Sequence, residues 1–165
     1  MFKLAKPEEI KEQINKYFSI IYNIPSTYHV FLVGGSIRSI SLNEQIKDLD
    51  FVFLDSYNTV NNYILEFINN YSLNYTFNEY GGYKINYNGF MVDLWKTKDL
   101  LYAIQFNADG LFYDIHNNYL ITFGIYDALE NGLRELNEVG GNLHKPHKEG
   151  RKAKILKQLD IKYNE

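Results

Sequence analysis

The chain has 165 residues, of which 45% are hydrophobic and 16% aromatic, and its formal net charge is −3. This length predicts a single domain with enough apolar residues to form a core. Cysteine is absent, which excludes disulfides and thiolate chemistry and agrees with a cytoplasmic location. The N-terminal residues lack a secretory apolar core, and no run approaches the roughly 18 apolar residues of a membrane span. We therefore expect neither secretion nor contact with a membrane.

The charge is distributed unevenly along the chain. Residues 140–165 carry seven Lys or Arg against three Asp or Glu, whereas residues 1–139 carry ten against seventeen. We therefore divide the single domain into an acidic body, residues 1–139, and a basic C-terminal tail, residues 140–165. Such a tail is expected either to contact RNA phosphates or to be an ordinary solvated terminal helix.

The first half of the chain alternates helical patterns with apolar strand patterns. A helix opens at Pro7, shows apolar residues at helical spacing, and ends before Pro25. The predicted elements that follow are a strand over Tyr28–Val33, a short helix over Ser36–Asn43, a strand over Leu49–Leu54 and a helix over Thr59–Tyr71.

The second half is richer in strands. The pattern predicts strands over Leu73–Phe77, Tyr83–Tyr87, Phe90–Trp95, Leu111–Ile115 and Tyr119–Phe123, and helices over Thr97–Ile104, Ile125–Leu136 and Lys148–Leu159. Asn88-Gly89 is a strong signal for a two-residue hairpin turn. This order predicts a mixed α/β sheet rather than a fully alternating parallel one.

A glycine-rich turn follows the first predicted strand, in the segment Val33-Gly34-Gly35-Ser36. Two adjacent glycines allow the backbone to approach a phosphate closely and to point N–H groups at it. The helix predicted after the turn would direct its N-terminal amides to the same place. Arg38 could reach a triphosphate oxygen from this helix, or it could form a surface salt bridge with Glu44 or Asp48.

Acidic residues mark two of the predicted strands. Asp48 and Asp50 are two residues apart at the start of a strand, so their carboxylates face the same side and can share a divalent cation. Asp93 lies in an apolar strand and shares a face with Met91 and Trp95. Because burying an unpaired carboxylate is costly, Asp93 is expected to bind a metal or a basic partner, unless its face is simply exposed to solvent. A phosphate cradle beside these carboxylates indicates phosphoryl or nucleotidyl transfer.

These motifs resemble the head domain of the CCA-adding enzymes and poly(A) polymerases, in the DNA polymerase beta nucleotidyltransferase superfamily. The resemblance rests on Leu32–Arg38 and Lys47–Phe51, and it extends to Gly89–Trp95, Phe106–Asp114 and Asp127–Arg134.

The resemblance implies an α/β (α+β) nucleotidyltransferase fold with a mixed, roughly five-stranded sheet flanked by helices. It also implies Mg²⁺-dependent transfer of a nucleoside monophosphate from a nucleoside triphosphate. Two cations would be held by Asp48, Asp50 and Asp93, which would be the catalytic residues. The triphosphate would be held by Gly34, Gly35 and Ser36, with Arg38 beside them.

The chain also departs from the family pattern. Ala103-Ile104-Gln105 stands where the family has Arg-Arg-Asp, and we expect no counterpart of the neck, body and tail helices that grip tRNA within these 165 residues. The C-terminal segment resembles the start of the neck, and its Arg151, Lys152 and Lys154 are available to RNA phosphates.

We therefore expect a minimal nucleotidyltransferase acting on an RNA 3′ end, with tRNA as the acceptor. Two alternatives are transfer to a protein hydroxyl, as in toxin-like members of the superfamily, and a non-catalytic relic that binds nucleotide or RNA. A homo-oligomer could supply RNA-binding surface that one small chain lacks.

Overall fold

A computed structural model describes residues 2–55, 59–78, 81–137 and 145–165. These residues contain five α-helices: α1 (Pro7–Phe18), α2 (Gly34–Ser41), α3 (Val60–Asn70), α4 (Ile125–Asn131) and α5 (Lys145–Leu159). They also contain seven strands: β1 (His29–Val33), β2 (Asp48–Leu54), β3 (Asn74–Phe77), β4 (Tyr83–Tyr87), β5 (Phe90–Thr97), β6 (Phe112–Asp114) and β7 (Tyr119–Ile121). None of the helices in the described ranges is both long enough and apolar enough to cross a membrane.

All seven described strands form one sheet in the spatial order β3-β4-β5-β2-β1-β6-β7. Among these described strands, β2 and β5 form the only parallel pair, and every other neighbouring pair is antiparallel. The expected mixed α/β fold is therefore confirmed. The expected count of five strands is too low, because all seven described strands join the same sheet.

The sheet has one deeply buried face and one thinly covered face. Leu49, Phe51 and Phe53 of β2 have no exposed surface, and they pack in the main core with residues of α1 and α3. The alternate residues of β2 face the other side, where Val52 joins a smaller apolar cluster with Phe31, Ile104 and Phe112. The period-2 alternation of the strand thus directs Asp48 and Asp50 to the thinly covered face.

Several element boundaries differ from the sequence prediction for identifiable reasons. The helix predicted to reach Leu136 ends at Asn131, because Gly132 has a φ of +97° and cannot continue a right-handed helix. The helix predicted over Thr97–Ile104 is a single 3₁₀ turn, Leu100–Ala103, because β5 continues to Thr97. The Asn88-Gly89 turn is confirmed, with φ values of +54° and +86° at its two residues.

The C-terminal helix α5 packs against the rest of the described structure. Its Ile155 and Leu159 are 1% and 5% exposed and belong to the main core. The boundary predicted between residues 139 and 140 lies outside the described residues.

Candidate functional site

The three predicted catalytic carboxylates lie on adjacent strands of the thinly covered face. In the parallel β2–β5 pair, Asp50 lies directly opposite Asp93, and Asp48 lies opposite Met91. Neighbouring strands are about 4.8 Å apart, so Asp50 and Asp93 project side by side from the sheet. The structure therefore places Asp93 beside the Asp48–Asp50 pair, although at least 43 positions separate it from the pair in the sequence.

Asp50 is the most constrained of the three acidic residues. Its Oδ1 accepts a hydrogen bond from the indole N–H of Trp95, two residues beyond Asp93 on β5. Burial raises the pKa of Asp50 to about 7, and the nearby carboxylates of Asp93 and Asp48 add to the increase. The Trp95 hydrogen bond and the more distant Arg151 act in the opposite direction. The site therefore concentrates negative charge that a cation would neutralise.

Asp93 has polar neighbours of its own. Burial raises its pKa, while Lys84, its register partner on β4, and a hydrogen bond to Asn78 lower it. Lys84 is thus the basic partner that the sequence analysis gave as one explanation for a carboxylate in this apolar strand.

The donor chemistry of the site fits a hard divalent cation such as Mg²⁺. Carboxylate oxygens are the ligands that Mg²⁺ prefers, and three of them share one face of two adjacent strands. As the side chains stand, however, no three acidic or histidine residues in the described ranges converge closely enough to hold an ion. The residues therefore fit the cation by ligand type and by strand position.

The glycine turn lies at the N-terminus of α2, beside the carboxylates. The predicted helix begins two residues early, so Gly34 and Gly35 are its first residues, and such positions have backbone N–H groups without helical partners. The Ser36 hydroxyl, 5% exposed, donates to the carbonyl oxygen of Asp48 at 3.3 Å and so joins the turn to the start of β2.

The two glycines have different surroundings. A Cβ on Gly34 would lie 3.1 Å from the carbonyl oxygen of Leu111 and 3.3 Å from that of Asp109, which is closer than most real contacts. A Cβ on Gly35 would meet only the Arg38 Nη2 atom, at 3.8 Å. The neighbouring backbone therefore leaves little room for a side chain at Gly34, whereas the space beside Gly35 is open to a ligand.

Arg38 is 3% exposed and forms a buried ion pair behind this turn. Its Nη1 donates to Asp109 Oδ1 at 3.1 Å and to the Ala108 carbonyl oxygen at 3.0 Å. Arg151 of α5 contacts the same Oδ1 at 3.1 Å and Gln105 Oε1 at 2.8 Å. Burial alone would raise the pKa of Asp109, but the two guanidinium groups lower it. The ion-pair partner of Arg38 is thus Asp109, not Glu44 or Asp48.

Lys152 and Lys154, the other two tail residues predicted to contact RNA, differ in the contacts that they make. The Lys152 ammonium lies 3.6 Å from the centre of the Tyr163 ring. Lys154 is exposed and makes no ion pair or hydrogen bond within the described ranges. Of the three residues predicted to contact RNA phosphates, Lys154 is the one without an ion pair, hydrogen bond or ring contact among the described residues.

Sequence reasoning missed two residues of this region, Trp95 and Asp109. Trp95 was placed on the correct face, but its hydrogen bond to Asp50 depends on the β2–β5 register, which local patterns do not encode. The signal for Asp109 was its position in the segment Phe106–Asp114, although no spacing rule pairs it with Arg38 and Arg151.

Comparison with solved structures identifies the fold. A tRNA-processing enzyme in an apo form matches with a TM-score of 0.64 and 20% identity, over 98% of this chain and 46% of that chain. The Thermotoga maritima CCA-adding enzyme complexed with tRNA matches with a TM-score of 0.62 and 18% identity, over 99% and 41%. The chain has the nucleotidyltransferase fold. The resemblance drawn from the motifs is thereby confirmed for the fold.

A further nucleotidyltransferase match is a tRNA nucleotidyltransferase complexed with a primer tRNA and an incoming ATP analog. Its TM-score is 0.59 and its identity 18%, over 93% of this chain and 46% of that chain. This chain thus spans less than half the length of the solved chains that it matches. No family model and no curated protein matches the sequence.

Proposed function

We propose that the protein is a metal-dependent nucleotidyltransferase that transfers a nucleoside monophosphate from a nucleoside triphosphate to the 3′ end of an RNA, with tRNA as the acceptor. The observation that carries the proposal is the direct opposition of Asp50 and Asp93, with Asp48 on the same face and the glycine turn joined to it through Ser36. Solved proteins of the same fold are described in complex with an ATP analog and with tRNA.

In this proposal Asp48, Asp50 and Asp93 hold divalent cations, Mg²⁺ being the natural choice for an all-carboxylate site. When bound, such cations stabilise the charge of the triphosphate and help to ionise the attacking hydroxyl. The free N–H groups of Gly35 and its neighbours bind phosphate oxygens at the N-terminus of α2. The reaction joins the acceptor hydroxyl oxygen to the α-phosphorus and releases pyrophosphate.

The buried ion pair supports the site from behind. Asp109 holds Arg38 against the base of the glycine turn, which ties α2 to the 3₁₀ turn Asn107–Asp109. Arg38 thereby orients the amides that we assign to phosphate, and Arg151 links α5 to the same carboxylate. We place the protein in the cytoplasm, where its proposed substrates occur.

The test is transfer of label from each of four α-labelled nucleoside triphosphates to total tRNA with Mg²⁺. We expect the wild type to label tRNA with at least one triphosphate, and Asp48→Asn and Asp93→Asn to lose about 10²–10³-fold of the rate, as for groups that stabilise transition-state charge. Asp160→Asn, at an exposed position with a φ of +53° that Asn tolerates, is the matched control. Labelled protein instead of labelled tRNA would redirect the acceptor to a hydroxyl side chain.

A second candidate is a nucleotide-binding protein without turnover. It is favoured by the engagement of Asp93 with Asn78 and Lys84, which would compete with a cation. This candidate predicts that a triphosphate binds the wild type while no pyrophosphate is released. Pyrophosphate release that depends on Asp93 would exclude it.

A further inference from the structure

Trp95 is the single tryptophan of the chain, and it lies two residues after Asp93 on β5. Its indole N–H donates a hydrogen bond to Asp50 Oδ1 across the parallel strand pair. The rest of its ring packs against the small apolar cluster of the thinly covered face, which contains Val52, Ile104 and Phe112. The indole is therefore held in place on one side by apolar contacts and bonded to Asp50 on the other.

The chemistry of this donor matters for the charge of the site. A buried carboxylate needs a hydrogen-bond donor, and a Lys or Arg in that role would neutralise it. An indole N–H is a neutral donor with no acceptor capacity, so it stabilises Asp50 without cancelling its negative charge. The other oxygen, Asp50 Oδ2, accepts no hydrogen bond from the described residues and is not among their buried unpartnered atoms. One oxygen is fixed and the other is left for a ligand.

We propose that Trp95 is the positioning residue for Asp50: its indole holds Oδ1 so that Oδ2 faces the divalent cation of the carboxylate site. This inference rests on the proposed function, since it assumes that the three carboxylates bind a cation. Groups that orient metal-binding carboxylates in this way typically contribute 10–100-fold to metal affinity. Trp95 touches neither substrate nor cation in this arrangement and acts through Asp50.

The test uses Mn²⁺ alone as the probe. In the wild type, Mn²⁺ bound at the carboxylates would quench the Trp95 emission. This signal reports on the carboxylate site alone, because the chain has no other tryptophan. Trp95→Phe keeps an aromatic ring on the apolar cluster but removes the donor. We expect electron paramagnetic resonance of free Mn²⁺ to show a 10–100-fold higher dissociation constant for this variant. The control Tyr102→Phe, which changes a 72% exposed ring, should bind Mn²⁺ as the wild type does.

A second substitution separates hydrogen bonding from packing. Benzothienylalanine at position 95 keeps the shape of the indole and replaces its N–H by sulfur, so a purely structural role of Trp95 would leave Mn²⁺ affinity unchanged in this variant. We expect the same 10–100-fold loss as in Trp95→Phe, with the circular dichroism spectrum of the folded protein in EDTA unchanged.

The outcomes distinguish the two proposals. If the wild type does not bind Mn²⁺, the metal site of the proposed function is wrong. If the wild type binds Mn²⁺ and loses it in Asp50→Asn, but benzothienylalanine at position 95 binds as tightly as tryptophan, the positioning role is wrong and the proposed function stands.

Discussion

The carboxylate of Asp50 is expected to destabilise the metal-free protein, and Asp50→Asn should therefore stabilise it. Burial raises the pKa of Asp50 from 3.8 to about 7, a difference of about three units. At about 1.36 kcal/mol per unit this corresponds to about 4 kcal/mol, and to about 2–4 kcal/mol once the partial exposure of the side chain is taken into account. An Asn amide oxygen can still accept the Trp95 hydrogen bond, so the variant removes mainly the charge.

The sign of the pH dependence follows from the direction of the shift. Below about pH 4 Asp50 is protonated in both the folded and the unfolded state, and the carboxyl carries no penalty. As the pH rises toward 7 the unfolded state ionises first, so the folded wild type loses stability over this window and stays less stable above it. Asn does not titrate, so its advantage should grow by about 2–3 kcal/mol between about pH 4.5 and pH 8.

The assay is urea denaturation of both proteins in EDTA at these two pH values. Asp160→Asn, which changes an exposed acid, should show no such divergence from the wild type. Mg²⁺ should then stabilise the wild type and not Asp50→Asn, because the cation binds the folded state through this carboxylate. Equal unfolding free energies at about pH 8, or a less stable Asn variant there, would refute the reasoning.

Three further substitutions test the turn and the ion pair behind it, and a fourth, at Lys154, is a surface control. Gly35→Ala should leave the melting temperature unchanged and weaken ATP binding measured by calorimetry, because its Cβ would enter the open side of the turn. Gly34→Ala should cost about 1–3 kcal/mol in urea denaturation, because its Cβ would lie 3.1 Å from a backbone carbonyl oxygen. Asp109→Ala should cost about 3–5 kcal/mol by leaving the Arg38 charge buried and unpaired, while Lys154→Gln, on an exposed side chain, should change the unfolding free energy by less than about 0.5 kcal/mol.

The sequence predicted which segments are strands and which residues form the candidate site better than it predicted how these strands and side chains are arranged in space. Alternation placed Asp48 and Asp50 on one face of β2, and Asp93 on the same face of β5 as Met91 and Trp95, because period-2 patterning is a local property of each strand. The same patterning located the β6–β7 hairpin, whose strands join the sheet. The count of five strands came from the resemblance and was wrong for the sheet as it stands.

What local patterns missed depends on long-range register. The Trp95–Asp50 hydrogen bond and the Asp109 ion pairs join residues 42 to 71 positions apart. The end of α4 was also predicted wrongly, because the positive φ of Gly132 stops the helix five residues before the predicted end. The roles of Gly34, Gly35, Ser36, Arg38, Arg151, Lys152 and Lys154 in binding phosphate or RNA stay predictions.

The single parallel pair among the described strands has a consequence for how the protein folds. The antiparallel strands β3, β4 and β5 follow one another and pair locally, as hairpins that form within microseconds. The β2–β5 pair must instead close across the whole stretch between Asp50 and Asp93, and such distant contacts form slowly. We therefore expect the carboxylates to meet late in folding, so that a partly folded chain lacks the assembled form of the proposed metal site.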